Sequence, residues 1–169
     1  MAVASRRAAR TAARGGLPNT LFVVAAAERL PAELLGVADE LTIQFPWGSL
    51  LRGALALDTT ASSGIASLLR PGASLTAVVS ITPRDGLGVA SLDEAGAAEA
   101  LAGRWARHDL WLESVRPAGV DELKATGSTW ARRLRAGETS ERPAWRLTFR
   151  TYGGRSGSNG SHDVLAEAR

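Results

Sequence analysis

Apolar residues run along this chain in two rhythms, continuous and alternating. Leu21-Phe-Val-Val-Ala-Ala-Ala27 is a continuous apolar run set off by Gly15-Gly16-Leu17-Pro18-Asn19, which predicts a strand buried on both faces. It ends at Glu28, a carboxylate at the carboxyl end of that strand. Pro31 opens a short helical stretch. Leu41-Thr-Ile-Gln-Phe45 alternates, predicts a second strand, and runs straight into Pro46-Trp47-Gly48-Ser49. Leu50, Leu51, Ala54 and Leu55 then recur at helical spacing. The polar stretch Thr59-Thr-Ala-Ser-Ser-Gly64 reads as a break before a second helical piece ending near Leu69.

Pro71-Gly72 predicts a turn, Leu75 to Ile81 a third strand, and residues 83–90 a Pro/Gly loop. Ser91-Leu-Asp-Glu94 has the form of a capping box, so a helix is predicted from there to about Trp105. Residues 109–116 read as a strand, 119–126 as a short helix, and Trp130 to Arg135 as a helical turn closed by Gly137. Trp145, Leu147 and Phe149 alternate with Arg146, Thr148 and Arg150, giving a last strand with one apolar face. Strand–helix alternation in the first half predicts a parallel sheet covered by helices. The last two strands, close together around a helical insertion, suit an antiparallel edge. Ligands of such sheets bind at the carboxyl ends of the strands, where Glu28 and Phe45-Pro46-Trp47 both fall.

The chain's 169 residues amount to one domain, and 45% hydrophobic content is enough for a packed core. No apolar run approaches the ~20 residues of a membrane helix. The absence of cysteine excludes disulfides, thiolate metal sites and cysteine nucleophiles. Basic residues outnumber acidic ones by 20 to 17, and Lys124 is the one lysine. Residues 1–14 hold four arginines and no acid, and residues 130–150 hold six arginines against Glu138 and Glu141. Two basic segments on an acidic body suit a polyanion-facing surface, or simply two solvated faces. The first segment reads as a helix with Arg6, Arg7, Arg10 and Arg14 on one broad face, ended by Gly15-Gly16, in preference to a transit peptide. With no secretory signal, cytoplasm is the default compartment.

Conventional catalytic motifs are missing. His108 and His162 are the histidines, with no HxxxH or HExxH spacing, so no metal is expected. Gly86-Leu87-Gly88 is half of a dinucleotide fingerprint with Pro83-Arg84-Asp85 intervening. The Pro-Trp-Gly-Ser corner differs, because a tryptophan beside a proline at a strand end displays its ring at the cleft. The competing assignment is an ordinary core tryptophan. Trp130 sits in an arginine-rich insertion beside Thr129 and Arg132. Two such tryptophans, with arginines for phosphates, suit the sandwiching of a flipped base. Trp105, Trp111 and Trp145 read as packing.

Several segments together resemble the 16S rRNA adenine-N1 methyltransferases, the kanamycin–apramycin resistance enzymes that modify the decoding-site adenine. They are Ser5-Arg6-Arg7-Ala8-Ala9-Arg10, Gly15-Gly16-Leu17-Pro18-Asn19, Phe22 to Pro31, Phe45-Pro46-Trp47-Gly48-Ser49-Leu50-Leu51-Arg52, and Gly127-Ser128-Thr129-Trp130-Ala131-Arg132-Arg133-Leu134. The resemblance spans residues 1–152, taken as one partial methyltransferase domain with a helical insertion at about 119–137; residues 153–169 read as a disordered tail. It implies a class I (Rossmann-like) α/β fold, S-adenosylmethionine as cofactor, and aminoglycoside resistance through the 30S subunit. It implies Glu28 near the cofactor's adenosine, with Pro46 and Ser49 at the boundary of cofactor and target. Trp47 and Trp130 would stack on the flipped adenine, and Ser128 would position the second of them. Arg6, Arg7, Arg10 and Arg133 would contact the RNA backbone. Transfer to N1 needs positioning more than an acid or base, and tryptophan faces suit the cationic product.

The family's glycine-rich loop and ribose-binding acid have no counterpart in residues 1–169. The expectation is a fold lacking its first two strands, which would lie between the 21–27 and 41–45 strands. The chain as written is expected to be inactive and to bind S-adenosylmethionine weakly. The alternative is a non-catalytic RNA- or ribosome-binding fragment.

Overall fold

The computed structural model describes residues 10–17, 19–89, 91–127, 129 and 143–153. Four strands form one sheet, β1 (Ala38–Gln44), β2 (Leu69–Val79), β3 (Leu110–Pro117) and β4 (Trp145–Thr151), in the order β1-β2-β4-β3. β1 and β2 are parallel, and β4 lies antiparallel between β2 and β3. The parallel first half and antiparallel edge expected from the sequence are therefore present, in a mixed α/β sheet.

Among the described residues, four helices pack with the sheet: α1 (Gly48–Ala54), α2 (Thr59–Ser67), α3 (Ala97–Ala106) and α4 (Val120–Ala125). On one face of the sheet, Leu51 and Ala54 of α1, Ile65 of α2, and Leu101 and Trp105 of α3 pack on Ile43, Leu75, Ala77, Leu147 and Phe149. Trp105 is fully buried, and its indole N–H donates to the Ala54 carbonyl at 3.1 Å, tying α3 to the end of α1. A side chain at Gly53 would press to 2.8 Å of the Ala61 methyl, so the glycine lets α1 and α2 approach closely. A smaller cluster on the other face joins Phe45 and Val78 to Ala118, Leu123 and Ala144.

Four elements differ from the sequence expectation. Residues 21–27 form no strand; they end in an isolated bridge between Ala26 and Arg29. A strand buried on both faces requires paired strands beside it, and this run has none among the described residues, though Ala27 at its end packs on the main core. Leu21 is 79% exposed and Val24 78%. Pro71-Gly72 is no turn but lies inside β2, at a bulge where the register moves from Ala38–Leu69 to Glu40–Ser74. Thr59 to Gly64 is no break but most of α2, capped by the Asp58 carboxylate, which accepts from the Ala61 N–H at 3.1 Å. Ser62 turns its hydroxyl back to the Asp58 and Gly53 carbonyls, which accounts for a serine at a buried helical position. Finally, Ser91 bonds Asp93 instead of capping a helix, and α3 starts later, at Ala97, after Gly96. A capping box does form at Thr82–Asp85.

Single 3-10 turns occupy Ala12–Arg14, ended by Gly15, and Ala32–Leu34 after Pro31. The rest of the predicted N-terminal helix and the Trp130–Arg135 turn lie outside the described residues, as does the tail beyond Gly153. No helix among the described residues is long and apolar enough to cross a membrane.

Removing the Trp105 ring empties the centre of the main core. Trp105→Ala should lower the unfolding free energy by about 3–5 kcal/mol in urea titrations. α4 is fastened by charge. Glu122 accepts from Arg116 at 2.8 and 2.9 Å and from Arg146 at 2.7 Å, which pushes its carboxyl down to about 2. A carboxyl lowered on folding stabilises above its unfolded value of 4.5, and that contribution is lost as the pH falls towards about 2. Glu122→Gln should remove this part of the acid sensitivity, read as a flatter dependence of the melting temperature on pH in that window.

Candidate functional site

β1 and β2 are parallel, so their carboxyl ends, Gln44 and Val79, open at the same edge of the sheet. The chain leaves β1 through Phe45, held left-handed at φ 47°, with its N–H donating to the Val78 carbonyl at 2.8 Å. Pro46 is buried. Trp47 is 77% exposed and takes the N-cap position of α1 in extended conformation. The core-tryptophan assignment therefore fails for Trp47. Gly48 follows at φ 59°, a conformation that favours glycine and lets the helix begin at once.

Ser49 lies in the first turn of α1, with its hydroxyl close enough to the Glu28 carboxylate to favour the ionised form. The Ser49 hydroxyl, and after it the backbone N–H of Glu28 itself, hold the Glu28 carboxyl below the usual carboxylate range; desolvation and the nearby Asp58 charge pull the other way. Glu28 is not at a strand end, as the sequence suggested, but in the Ala26–Arg29 turn. The turn is pressed on α2 at Gly64, where a side chain would come to 1.7 Å of the Ala27 carbonyl oxygen. Glu28 also borders a groove of about 570 Å³ along α2, shared with Leu30, Thr60, Ser63 and Ser67. Pro46, Trp47 and Ser49 do not line that groove.

The structure thus brings Glu28 to Ser49, next to Pro46 and an exposed Trp47. Arg10 is exposed and far in sequence from this corner. Arg6, Arg7, Ser128, Trp130 and Arg133 lie outside the described residues. Trp105 and Trp145 are buried, and Trp111 packs on Tyr152 at 4.9 Å between ring centres. Of the arginines counted in the second basic segment, Arg146 pairs with Glu122 and Arg150 with Glu113, each at 2.7 Å. These two side chains are held in ion pairs across the fold.

Sequence reasoning missed two residues here. Ser80 directly follows β2, and its buried hydroxyl has no hydrogen-bond partner among the described residues. Phe45 is the other, because alternation assigned it to the strand. No group of three His, Cys, Asp or Glu side chains suited to a metal ion occurs among the described residues.

A helix-covered sheet with a polar corner at the carboxyl ends of its parallel strands is the architecture of a class I methyltransferase. Solved structures agree. The chain superposes on the crystal structure of the 16S rRNA methyltransferase KamB with a TM-score of 0.78 and 34% identity, covering 90% of this chain and 72% of that one. It also superposes on a tryptophan-to-alanine variant of the 16S rRNA (adenine(1408)-N(1))-methyltransferase from Catenulisporales acidiphilia with its cosubstrate SAM. There the TM-score is 0.77 and the identity 30%, over 93% of this chain and 72% of that one.

The family model for NpmA, 16S rRNA (adenine(1408)-N(1))-methyltransferase, matches residues 1–148, and the chain belongs to that family. An rRNA methyltransferase of Saccharopolyspora hirsuta is 40% identical over 134 residues, 76% of this chain and 85% of the relative. The chain spans 62% of the length of its two Streptoalloteichus relatives.

The nearness of Ser49 to Glu28 has a direct consequence. Ser49→Ala should raise the Glu28 pKa towards the ordinary carboxylate value, followed by side-chain carboxyl NMR. An unchanged titration would mean that the hydroxyl does not hold the carboxylate.

Proposed function

We propose that this protein is a methyltransferase that takes the methyl group of S-adenosylmethionine to N1 of the decoding-site adenine of 16S rRNA in the 30S subunit, and thereby gives aminoglycoside resistance. The reading places it in the cytoplasm, with the ribosome. The observation that carries it is the corner at the end of β1, where an exposed tryptophan stands beside a buried proline and the neighbouring Glu28 and Ser49 side chains.

The polar groups present suit one end of the cofactor. The Glu28 carboxylate accepts hydrogen bonds of the kind adenosine amino and hydroxyl groups donate, and the Ser49 hydroxyl beside it favours its charged form. The unpartnered Ser80 hydroxyl offers a further donor and acceptor at the same end of the sheet. When bound, the cofactor supplies a methyl group on a sulfonium, which the N1 lone pair accepts with no prior proton removal. The chain's part is then to present surfaces. Trp47 offers one stacking face for an adenine swung out of the RNA, and Trp130 is proposed as the other. Their π faces favour the positive charge that the base acquires. Ser128 is assigned to positioning Trp130, and Arg6, Arg7, Arg10 and Arg133 to phosphate contacts.

Methylation at N1 blocks reverse transcription at that adenine. Cells expressing a full-length enzyme, in which this chain is joined to the family's glycine-rich loop and ribose-binding acid, should show the block, and Trp47→Ala and Trp130→Ala in that enzyme should each weaken it by a factor of about 100 or more. S-adenosylmethionine binding, followed by calorimetry, should be spared in both variants. Full blocks in both would remove the stacking model. Salt-dependent 30S binding with no methylation would favour the RNA-binding fragment instead. Tight stoichiometric binding of S-adenosylmethionine by the 169-residue chain would overturn the expectation that it binds weakly.

A further inference from the structure

In a strand, residues two apart share a face. Ile43 and Phe45 break that rule. Ile43 packs in the main core on the same side as Ala77, its register partner on β2. Phe45 packs with Val78, Ala118, Leu123 and Ala144, the cluster on the opposite side. The switch happens at one residue, Phe45 itself, whose φ of 47° lies in the left-handed region. A bulky aromatic residue adopts that conformation only where its surroundings enforce it.

The enforcing contacts can be named. The Phe45 N–H stays bonded to the Val78 carbonyl, so the reversal follows directly on the last residue of β1. The ring is 6% exposed. Leu123 comes from α4, while Ala118 and Ala144 are joined by the Ala118 N–H donating to the Ala144 carbonyl at 2.8 Å. Beyond the corner, α1 packs Leu51 and Ala54 on the main-core face. The Pro46-Trp47-Gly48 corner is therefore clamped from both sides of the sheet. α4, on the Phe45 side, continues in sequence through Gly127 to Ser128 and Trp130.

We infer that Phe45 is a positioning residue: its ring, turned to the α4 side of the sheet, sets the orientation of Trp47 at the carboxyl end of β1. Its place in catalysis rests on the adenine-stacking reading of Trp47. The geometric claim is tested without it.

Trp47 emission is isolated in each background by subtracting the matching Trp47→Phe variant, and its quenching by acrylamide is measured. Three backgrounds are compared with the parent chain. Phe45→Leu keeps an apolar side chain without the ring. Leu123→Ala removes part of the opposing wall without touching the corner, and it carries the test should Phe45→Leu fail to fold. Ile65→Val, in the main core, controls for a general loss of stability. Phe45→Leu and Leu123→Ala should each shift the quenching constant and emission maximum of Trp47, non-additively when combined, while Ile65→Val leaves both at the parent value. A Trp47 signal unchanged in both site variants overturns the inference, whatever their melting temperatures. In methyl transfer to 30S subunits, the same two variants should lower kcat about tenfold or more with the KM for S-adenosylmethionine unchanged. A kcat unchanged in both also overturns it. No transfer by the parent chain is the outcome expected of the chain as written, and the fluorescence then decides the inference.

Discussion

Two parallel neighbours cannot be joined by a tight turn, so the chain leaving β1 at Gln44 has to cross a face of the sheet before entering β2 at Leu69. That crossing is α1 and α2, and it supplies much of the main core. It also decides where chemistry can happen. Leaving a strand sideways exposes the residues between the strand and its crossover, here Pro46, Trp47 and Gly48, at the carboxyl end of the sheet. The close fit of Gly53 on Ala61 and the indole bond from Trp105 to Ala54 then hold the crossover down. The corner is flanked by buried Phe45 and Leu51 even though its tryptophan faces solvent.

Where burial is one-sided, the chain was legible without coordinates. Trp145 to Phe149 alternates because one face of β4 meets the core and the other carries ion-paired arginines. The helix at 119–126 and the strand at 109–116 were legible for the same local reason. Residues 21–27 were not, because burial on both faces is a property of neighbours and not of the segment. β2 was read too short because Pro71-Gly72 signals a turn in isolation but here supplies a bulge within a paired strand. α2 was read as a break because serine and threonine compete for backbone hydrogen bonds. In α2 that competition is resolved by Ser62 bonding carbonyls within reach of its own helix. The capping box at Ser91 and the one at Thr82 look alike in sequence, and only the second closes.

The charges teach a similar lesson. Summing arginines along a segment measures its electrostatic potential only if their partners are counted as well. Arg146 meets Glu122 on α4, and Arg150 meets Glu113 on β3. Both acids come from outside the basic segment. The Glu28–Ser49 contact is equally invisible to spacing, since a turn and a helix must first be brought together by Gly64 and α2. What could be read was the type of residue the site would contain. What could not be read was which groups would meet.

The proposed reaction at the lone pair of adenine N1 asks the protein for no proton acceptor. The demand falls on shape. A stacking surface is useful only if its ring is fixed in angle, and an exposed tryptophan has few contacts of its own to fix it. The backbone on either side must do so, and both flanks of Trp47 carry unusual conformations, Phe45 and Gly48 at positive φ. Of the two, glycine adopts its conformation freely, whereas phenylalanine does so at a cost that its buried ring offsets on the α4 side. A strained residue held by packing admits fewer alternatives than a relaxed one. This is the property required where rate depends on placement and not on the strength of an acid or base.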